Sequence, residues 1–391
     1  MASIPRSKSN DHTADMAERR RAFLADRRSV ALPHLGAASF DYVTLAGNIE
    51  NAIGAAQVPV GLAGPLRVRG EHVDEEVYVP LATTEGTLVA SYSRGMRLLT
   101  EAGGARVTIL ERYMQRAPVF HFDDARAARD FGRWLDDHFE QVKAAAESST
   151  SIGKLSHIEQ YGVAKMRYLR MNFTTGDAAG QNMSGKAAKA ACDWIVANYG
   201  APIRYTLSGA IDTDKKHSQL NTLHSRGARV VAEVTLPRDL VRERLHVDTA
   251  DLYRVRQVSH LGGMLAGTTS NGLHAANGLA ALFIATGQDA ANVAESQASL
   301  TYVELNPDGS LYWALTLPSL IMATFGGGTG LATQRECLEI LDCVGPENGK
   351  GKVGRLLEIT AATCLAGDLS LAGAVVGGDW VESHDRLGRN R

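Results

Sequence analysis

At 391 residues, with 45% hydrophobic and 21% charged side chains, the chain can form two or three packed units, and its composition excludes a disordered or fibrous protein. Its 41 basic and 43 acidic residues leave a formal net charge of -2, so no global field draws it to nucleic acid and an anionic ligand must be held locally. The four cysteines, Cys192, Cys337, Cys343 and Cys364, contain no CxxC pair, which argues against a zinc ribbon or a disulfide framework and fits a reducing compartment.

The first 35 or so residues lack the apolar core of a signal peptide, and Arg19, Arg20, Arg21, Arg27 and Arg28 alternate with acids, unlike a transit peptide. A cytoplasmic protein is expected. A short helix is predicted around Ala14 to Arg28, as a packing helix or, first, a solvated tail. From Glu50 to Leu66 glycines and prolines interrupt apolar residues, so the backbone winds, and a strand follows near Val77 to Val79. Thr83 and Thr84 offer a cap for a helix carrying Leu88, Tyr92, Met96 and Leu99, ended by Gly103-Gly104. That assignment puts Glu85 in a helical first turn.

Between Pro118 and Leu207 charge and aromatics increase, as expected of a smaller domain inserted into a larger one in an α+β fold. Its strand Met166 to Phe173 runs into Gly176-Asp177-Ala178-Ala179-Gly180 and then a helix burying Met183, Ala187, Ala191, Trp194 and Ile195. Such a turn offers free N–H groups and a helix dipole to a phosphate. The run Gly180 to Lys186 also fits GxxxxGK, but Ala187 stands where a Walker loop needs Ser or Thr, which counts against a nucleotide hydrolase. A strand from Arg229 to Pro237 is followed by a helix-rich remainder. The uncharged runs Leu261 to Gln288 and Gly309 to Gln334 are long enough to cross a bilayer, but their Asn, Thr, His274 and Pro318 read as buried core, with no membrane partner. Asp289 closes one apolar helix, Lys215 and Lys216 sit in a loop with Asp212 and Asp214, and Gly326-Gly327-Gly328-Thr329 makes a second tight turn.

The runs ENAIG (50–54), PVGLAGPL (59–66), ATTEG (82–86), GDAAGQNM (176–183), DTDKK (212–216), HAAN (274–277), GQDAA (287–291), FGGGTGL (325–331) and SH (383–384) occur in this order. Together they resemble the 3-hydroxy-3-methylglutaryl-CoA reductases, in the class I form that includes the eukaryotic enzymes, here without their membrane anchor. The resemblance implies an N-terminal segment (1–49), a large substrate domain (50–117 and 218–391), an inserted ferredoxin-like cofactor domain (118–207) and a connecting catalytic loop (208–217). It implies reduction of an acyl-CoA thioester to mevalonate with two NADPH, no metal, and a homodimer or dimer of dimers. In that dimer the Lys215 loop of one subunit would complete the site holding Glu85 and Asp289 of its neighbour.

The same resemblance makes Lys215 the oxyanion-stabilising cation, Asp289 its orienting acid, His384 the proton donor to the leaving thiolate and Glu85 the donor to the aldehyde oxygen. A helix N-terminus would favour the Glu85 carboxylate, so its acid form would need burial beside Asp289. The dinucleotide would lie on Asp177, Ala178, Ala179, Gly180, Gln181, Asn182 and Met183 and on Gly326, Gly327, Gly328 and Thr329, with Ser151, Lys154 and Arg389 near a 2'-phosphate. The acyl-CoA would meet Glu50, Asn51, Arg116, Ser208, Asp214, Lys216, His274 and Asn277. Departures from the family are Ala210 for Asn, Ala179 and Gln181 for Met, and His217 for Pro. A substrate-clamping lysine upstream of MLAG is also missing, leaving Arg256 or His260 as its replacement. Two rivals remain, a paralogue for another acyl-CoA and a non-catalytic acyl-CoA or nucleotide binder.

Overall fold

The computed structural model describes residues 3–345 and 351–378. The first helix, Ala14–Arg28, has the expected bounds, with the Thr13 side chain accepting the Met16 N–H and Ser29 closing it in the left-handed region. It is a packing helix and not a solvated tail. Arg20, 1% exposed, donates to the carbonyls of Pro5, Asp11 and Ala52 and pairs with the Asp11 carboxylate, so one guanidinium ties the arm to the body.

Ten strands form one sheet: β1 (Val60–Arg69), β2 (Asp74–Ala82), β3 (Ala105–Arg116), β4 (Val119–His121), β5 (Lys154–Val163), β6 (Met166–Thr174), β7 (Arg204–Thr206), β8 (Gly227–Leu236), β9 (Leu300–Leu305) and β10 (Leu311–Leu320). The order is β7-β4-β6-β3-β8-β10-β9, with β1 beside β2 and β3, and β5 beside β6. The winding backbone expected from Glu50 therefore ends at Pro59. From Val60 it is a strand, whose register shift between Ala63 and Leu66 absorbs Gly64-Pro65. β3 crosses the molecule, since Arg106 to Tyr113 pair with β8 and Met114 to Arg116 with β6.

Two apolar cores lie on the two halves. One collects Phe120, Phe131, Leu169, Phe173, Ala191 and Ile195 around β4–β7 and the helices Ala125–Asp137, Phe139–Glu147 and Gln181–Asn198. The other packs β1–β3 and β8–β10 against the helices Leu88–Glu101, Ala275–Thr286 and Val353–Gly377. The last of these is long and apolar enough to cross a membrane, but 83% of its apolar window is buried inside the protein. Its two core acids are satisfied by backbone. Glu358 accepts the N–H groups of Glu71, His72 and Val73 at 3.0 Å each, and Asp368 those of Leu273 and His274.

The C-terminal part is helix-rich as expected but also carries the strands β9 and β10. The run from Gly309 holds β10, which is covered on both faces and shows no in–out alternation, so periodicity alone does not separate it from a buried helix.

Candidate active site

Glu85 stands on the loop between β2 and the Leu88–Glu101 helix. That helix starts after Thr87, a left-handed residue, and not at Thr83. Thr83 instead turns its hydroxyl to the Glu85 N–H at 3.0 Å, a local turn that competes with helix. Glu85 is thus outside the first turn, and its two carboxylate oxygens accept the Asn277 amide at 3.1 and 3.0 Å.

Lys215 sits at φ +56 in the 207–218 loop, which runs back from β7 toward β8. Its Nζ lies 2.8 Å from Asp289 Oδ2, and that hydrogen bond is the main reason its pKa is raised. Asp289 follows the Ala275–Thr286 helix and accepts the Ala291 N–H, so a tight turn fixes its carboxylate. The strained loop is held from behind by Glu295, which accepts the Lys215 N–H at 3.1 Å and meets Arg226 Nε at 3.4 Å, while Arg226 also binds Asp214 at 2.6 Å. Burial pushes the Glu295 pKa up, against Arg226 and the Lys215 N–H. Sequence reasoning missed Glu295 and Arg226; the only signal for Glu295 is that it is the lone charge between Asp289 and Glu304.

A cavity of about 600 Å³ opens beside this pair, walled by Ala178 to Met183 on one side, Gly326 to Thr329 on the other, and Asp289. The glycine turns are some 150 residues apart in sequence. The Thr324 N–H, just before the second turn, donates to the Asp177 carbonyl at 2.9 Å and ties the segments together, while Gly287 (φ +69) backs the second turn so closely that an added Cβ would lie 2.3 Å from the Gly328 carbonyl oxygen. Gly180 (φ +84) aims the start of the Gln181–Asn198 helix at the space. Asp177 does not line the cavity. Its carboxylate accepts the Val353 N–H at 3.1 Å and its carbonyl the Thr324 N–H, a bracing role between the two halves.

Arg116, expected at the substrate, donates to Asp212 at 3.2 Å and to the Gln181 carbonyl, and Ser208 also bonds Asp212. Lys216 is exposed and donates to the Asp214 carbonyl. His274 lies with its ring 5.0 Å from that of Tyr92, tilted by 30°, and burial lowers its pKa. Asn51 bonds Arg6 and Glu50 is exposed, neither on the cavity. Lys154 pairs with Glu147 at 3.0 Å, whereas Ser151 is exposed nearby. His384 and Arg389 lie outside the described residues.

Three further expectations fail. Lys215 meets Asp289 within one chain and not across from a neighbouring subunit. Glu85 is not beside Asp289: its partner Asn277 and Asp289 flank the Ala275–Thr286 helix, roughly 15 Å apart along its axis at 1.5 Å per residue. Nor do Arg256 and His260 replace the missing lysine. Arg256 is 1% exposed, over the Trp313 ring and bonded to the Asn271 carbonyl at 2.6 Å, while His260 bonds the Asn271 amide. Both residues line a separate cavity with Tyr253, Gln257 and Tyr302 to Leu305, which shares no lining residue with the one beside Asp289.

The model of the hydroxymethylglutaryl-coenzyme A reductase family matches residues 16–389. The chain is 40% identical over 374 residues to the 3-hydroxy-3-methylglutaryl-coenzyme A reductase of Aeropyrum pernix, covering 95% of this chain and 89% of that protein. It is 36% identical to the reductase 1 of Dictyostelium discoideum, covering 92% of this chain and 65% of that protein. Among solved structures it is similar to the class II reductase of Streptococcus pneumoniae bound to NADPH, with a TM-score of 0.67 and 20% identity over 92% of this chain and 97% of that one.

Proposed function

We propose that this chain, which belongs to the hydroxymethylglutaryl-coenzyme A reductase family, reduces 3-hydroxy-3-methylglutaryl-CoA to mevalonate and free CoA with NADPH. The observation that carries the reading is Asp289 on the wall of a cavity built from two glycine turns, with Lys215 ion-paired to it. Its size, its left-handed glycines and the start of a helix suit the nicotinamide end of a dinucleotide. NADPH, when bound there, supplies hydride for both reductions.

The chain's own residues handle charge and protons. The Lys215 ammonium stabilises the negative oxygen that forms as the thioester carbonyl is reduced, and Asp289 keeps that lysine charged and aimed. His384 protonates the departing CoA thiolate, whose conjugate thiol has a pKa of roughly 8.5, within reach of an imidazolium. Glu85, oriented by Asn277, gives a proton to the aldehyde oxygen in the second reduction. Arg116, Ser208, Asp214, Lys216 and His274 surround the acyl group, with Glu50 and Asn51 at the CoA side. Ser151, Lys154 and Arg389 meet the 2'-phosphate.

Glu85 and Asp289 of one chain are too far apart to act on one oxygen, so a working site pairs Lys215 and Asp289 of one copy with Glu85 of the partner subunit. This separation supports a homodimer, alone or doubled. The uncovered Val258, Leu261, Met264 and Leu265, 64 to 91% exposed on one helix, support an apolar face for that contact. The strand order β7-β4-β6-β5, with two helical connections on the 118–207 segment, supports a ferredoxin-like cofactor domain inserted between 50–117 and 218–391. The stretch 1–49 then forms an N-terminal segment and 208–217 the catalytic loop. The forms of the ATTEG, TDKK and GGGT runs support class I. We place the protein in the cytoplasm, acting on a small acyl-CoA without nucleic acid or membrane as partner.

The test follows NADPH oxidation and CoA release with 3-hydroxy-3-methylglutaryl-CoA, then mevaldehyde alone. His384→Gln should depress thioester reduction and spare mevaldehyde, which has no sulfur to protonate. Glu85→Gln should lower both, by about 10² to 10⁴. Absence of NADPH oxidation by the wild-type protein would overturn the reading.

A further inference from the structure

Asn292 ends the short turn that begins at Asp289, with its own N–H donating to the Asp289 carbonyl at 2.9 Å. Its side chain is 1% exposed, yet neither Oδ1 nor Nδ2 has a hydrogen-bond partner among the described residues, and the residue lines the cavity beside the Lys215–Asp289 pair. On the same cavity the Nε2 of Gln181 is also buried without a partner. Buried amides are nearly always bonded, so two orphans on one cavity point to something that enters it.

The chemistry narrows what enters. Asn292 offers unused N–H donors and an unused carbonyl acceptor, so it pairs best with a group that presents both. A carboxylate has no donor and would lie close to Asp289; an ammonium has no acceptor. A neutral carboxamide presents both on one rigid plane and pairs with Asn292 amide to amide in two bonds, whereas a hydroxyl or water turns a single oxygen to it.

We propose that Asn292, aided by Gln181, binds the carboxamide of the nicotinamide ring and thereby sets which ring face is presented to the Lys215–Asp289 pair. This rests on the NADPH reading above and goes beyond it in naming the groups that read the reactive end of the cofactor. Gln181 stands where the family resemblance leads one to expect Met, so the arrangement is a feature of this chain.

The experiment compares the wild-type protein with Asn292→Leu, which keeps the branched shape and removes both polar atoms, and with Gln181→Met. Each is titrated with NADPH and with its 3-acetylpyridine analogue, whose methyl ketone lacks the N–H donors. The wild type should bind the analogue roughly tenfold more weakly, the size of one lost hydrogen bond. In Asn292→Leu, NADPH binding should weaken by a similar factor and the preference between the two cofactors should vanish. Gln181→Met should show a smaller loss in the same direction. The free Asn292→Leu protein should melt at the same temperature as wild type or higher, because an unpaired buried amide has been removed.

Retained preference for NADPH in Asn292→Leu, or a free variant that is less stable or fails to fold, would overturn the proposal, since the amide would then be bonded within the protein. A wild-type protein that binds neither cofactor would instead overturn the NADPH reading itself.

Discussion

Asp368 provides the sharpest physical test of the scaffold under the site. Its carboxylate is fully buried and accepts the N–H groups of Leu273 at 3.1 Å and His274 at 2.8 Å and the Thr301 hydroxyl at 3.2 Å. Those bonds seat the start of the Ala275–Thr286 helix, one turn before the Asn277 amide that orients Glu85. Burial raises the Asp368 pKa to about 6, against the pull of these bonds and of Arg256. Below the ordinary value of 3.8 the acid is protonated in both folded and unfolded chains. Above about 6 it is charged in both, and in between the folded state holds the extra proton, so stability falls as pH rises through that window.

A gap of about two pKa units corresponds to about 3 kcal/mol in all, of which about 2 kcal/mol accrues between pH 4.5 and pH 7. Asp368→Asn keeps an acceptor for the two N–H groups, turns a donor to Thr301 and does not titrate. Its unfolding free energy relative to wild type, read from urea titrations at the two pH values, should therefore improve by about 2 kcal/mol on going from pH 4.5 to pH 7. Activity at pH 7 should stay near wild type. Parallel wild-type and variant profiles would refute the reasoning, because Asp368 would then carry no proton that the unfolded chain lacks.

Asp289→Asn removes the main bond raising the Lys215 pKa, so the alkaline limb of the pH–rate profile, where that lysine loses its proton, should move to lower pH, with kcat down by about 10² or more. An unmoved limb would show that another group sets it. Gly287→Ala drives a Cβ into the Gly328 carbonyl at φ +69, where no side chain can yield, so NADPH binding and melting temperature should both fall. Gly330→Ala, whose Cβ meets nothing within 4 Å, should leave both nearly unchanged and serves as the control.

Local chemistry accounts for what the sequence determined unaided. The first helix at Ala14 to Arg28, the strand Met166 to Phe173 and the helix after its glycine turn were legible locally, and nine ordered motifs marked the family. Glu85 was misplaced because Thr83-Thr84 serves a local turn as well as a helix cap, and only packing against Asn277 decided between them. β10 was hidden because a strand covered on both faces has no alternation to read. The convergence of the two glycine turns, the support of Lys215 by Glu295, the burial of Arg256 and the orphaned amide of Asn292 all depend on contacts between segments tens to hundreds of residues apart. Residue type and spacing fix what a segment does locally, but whether a polar group is paired, stranded or aimed into a cavity is set by what the rest of the chain brings against it.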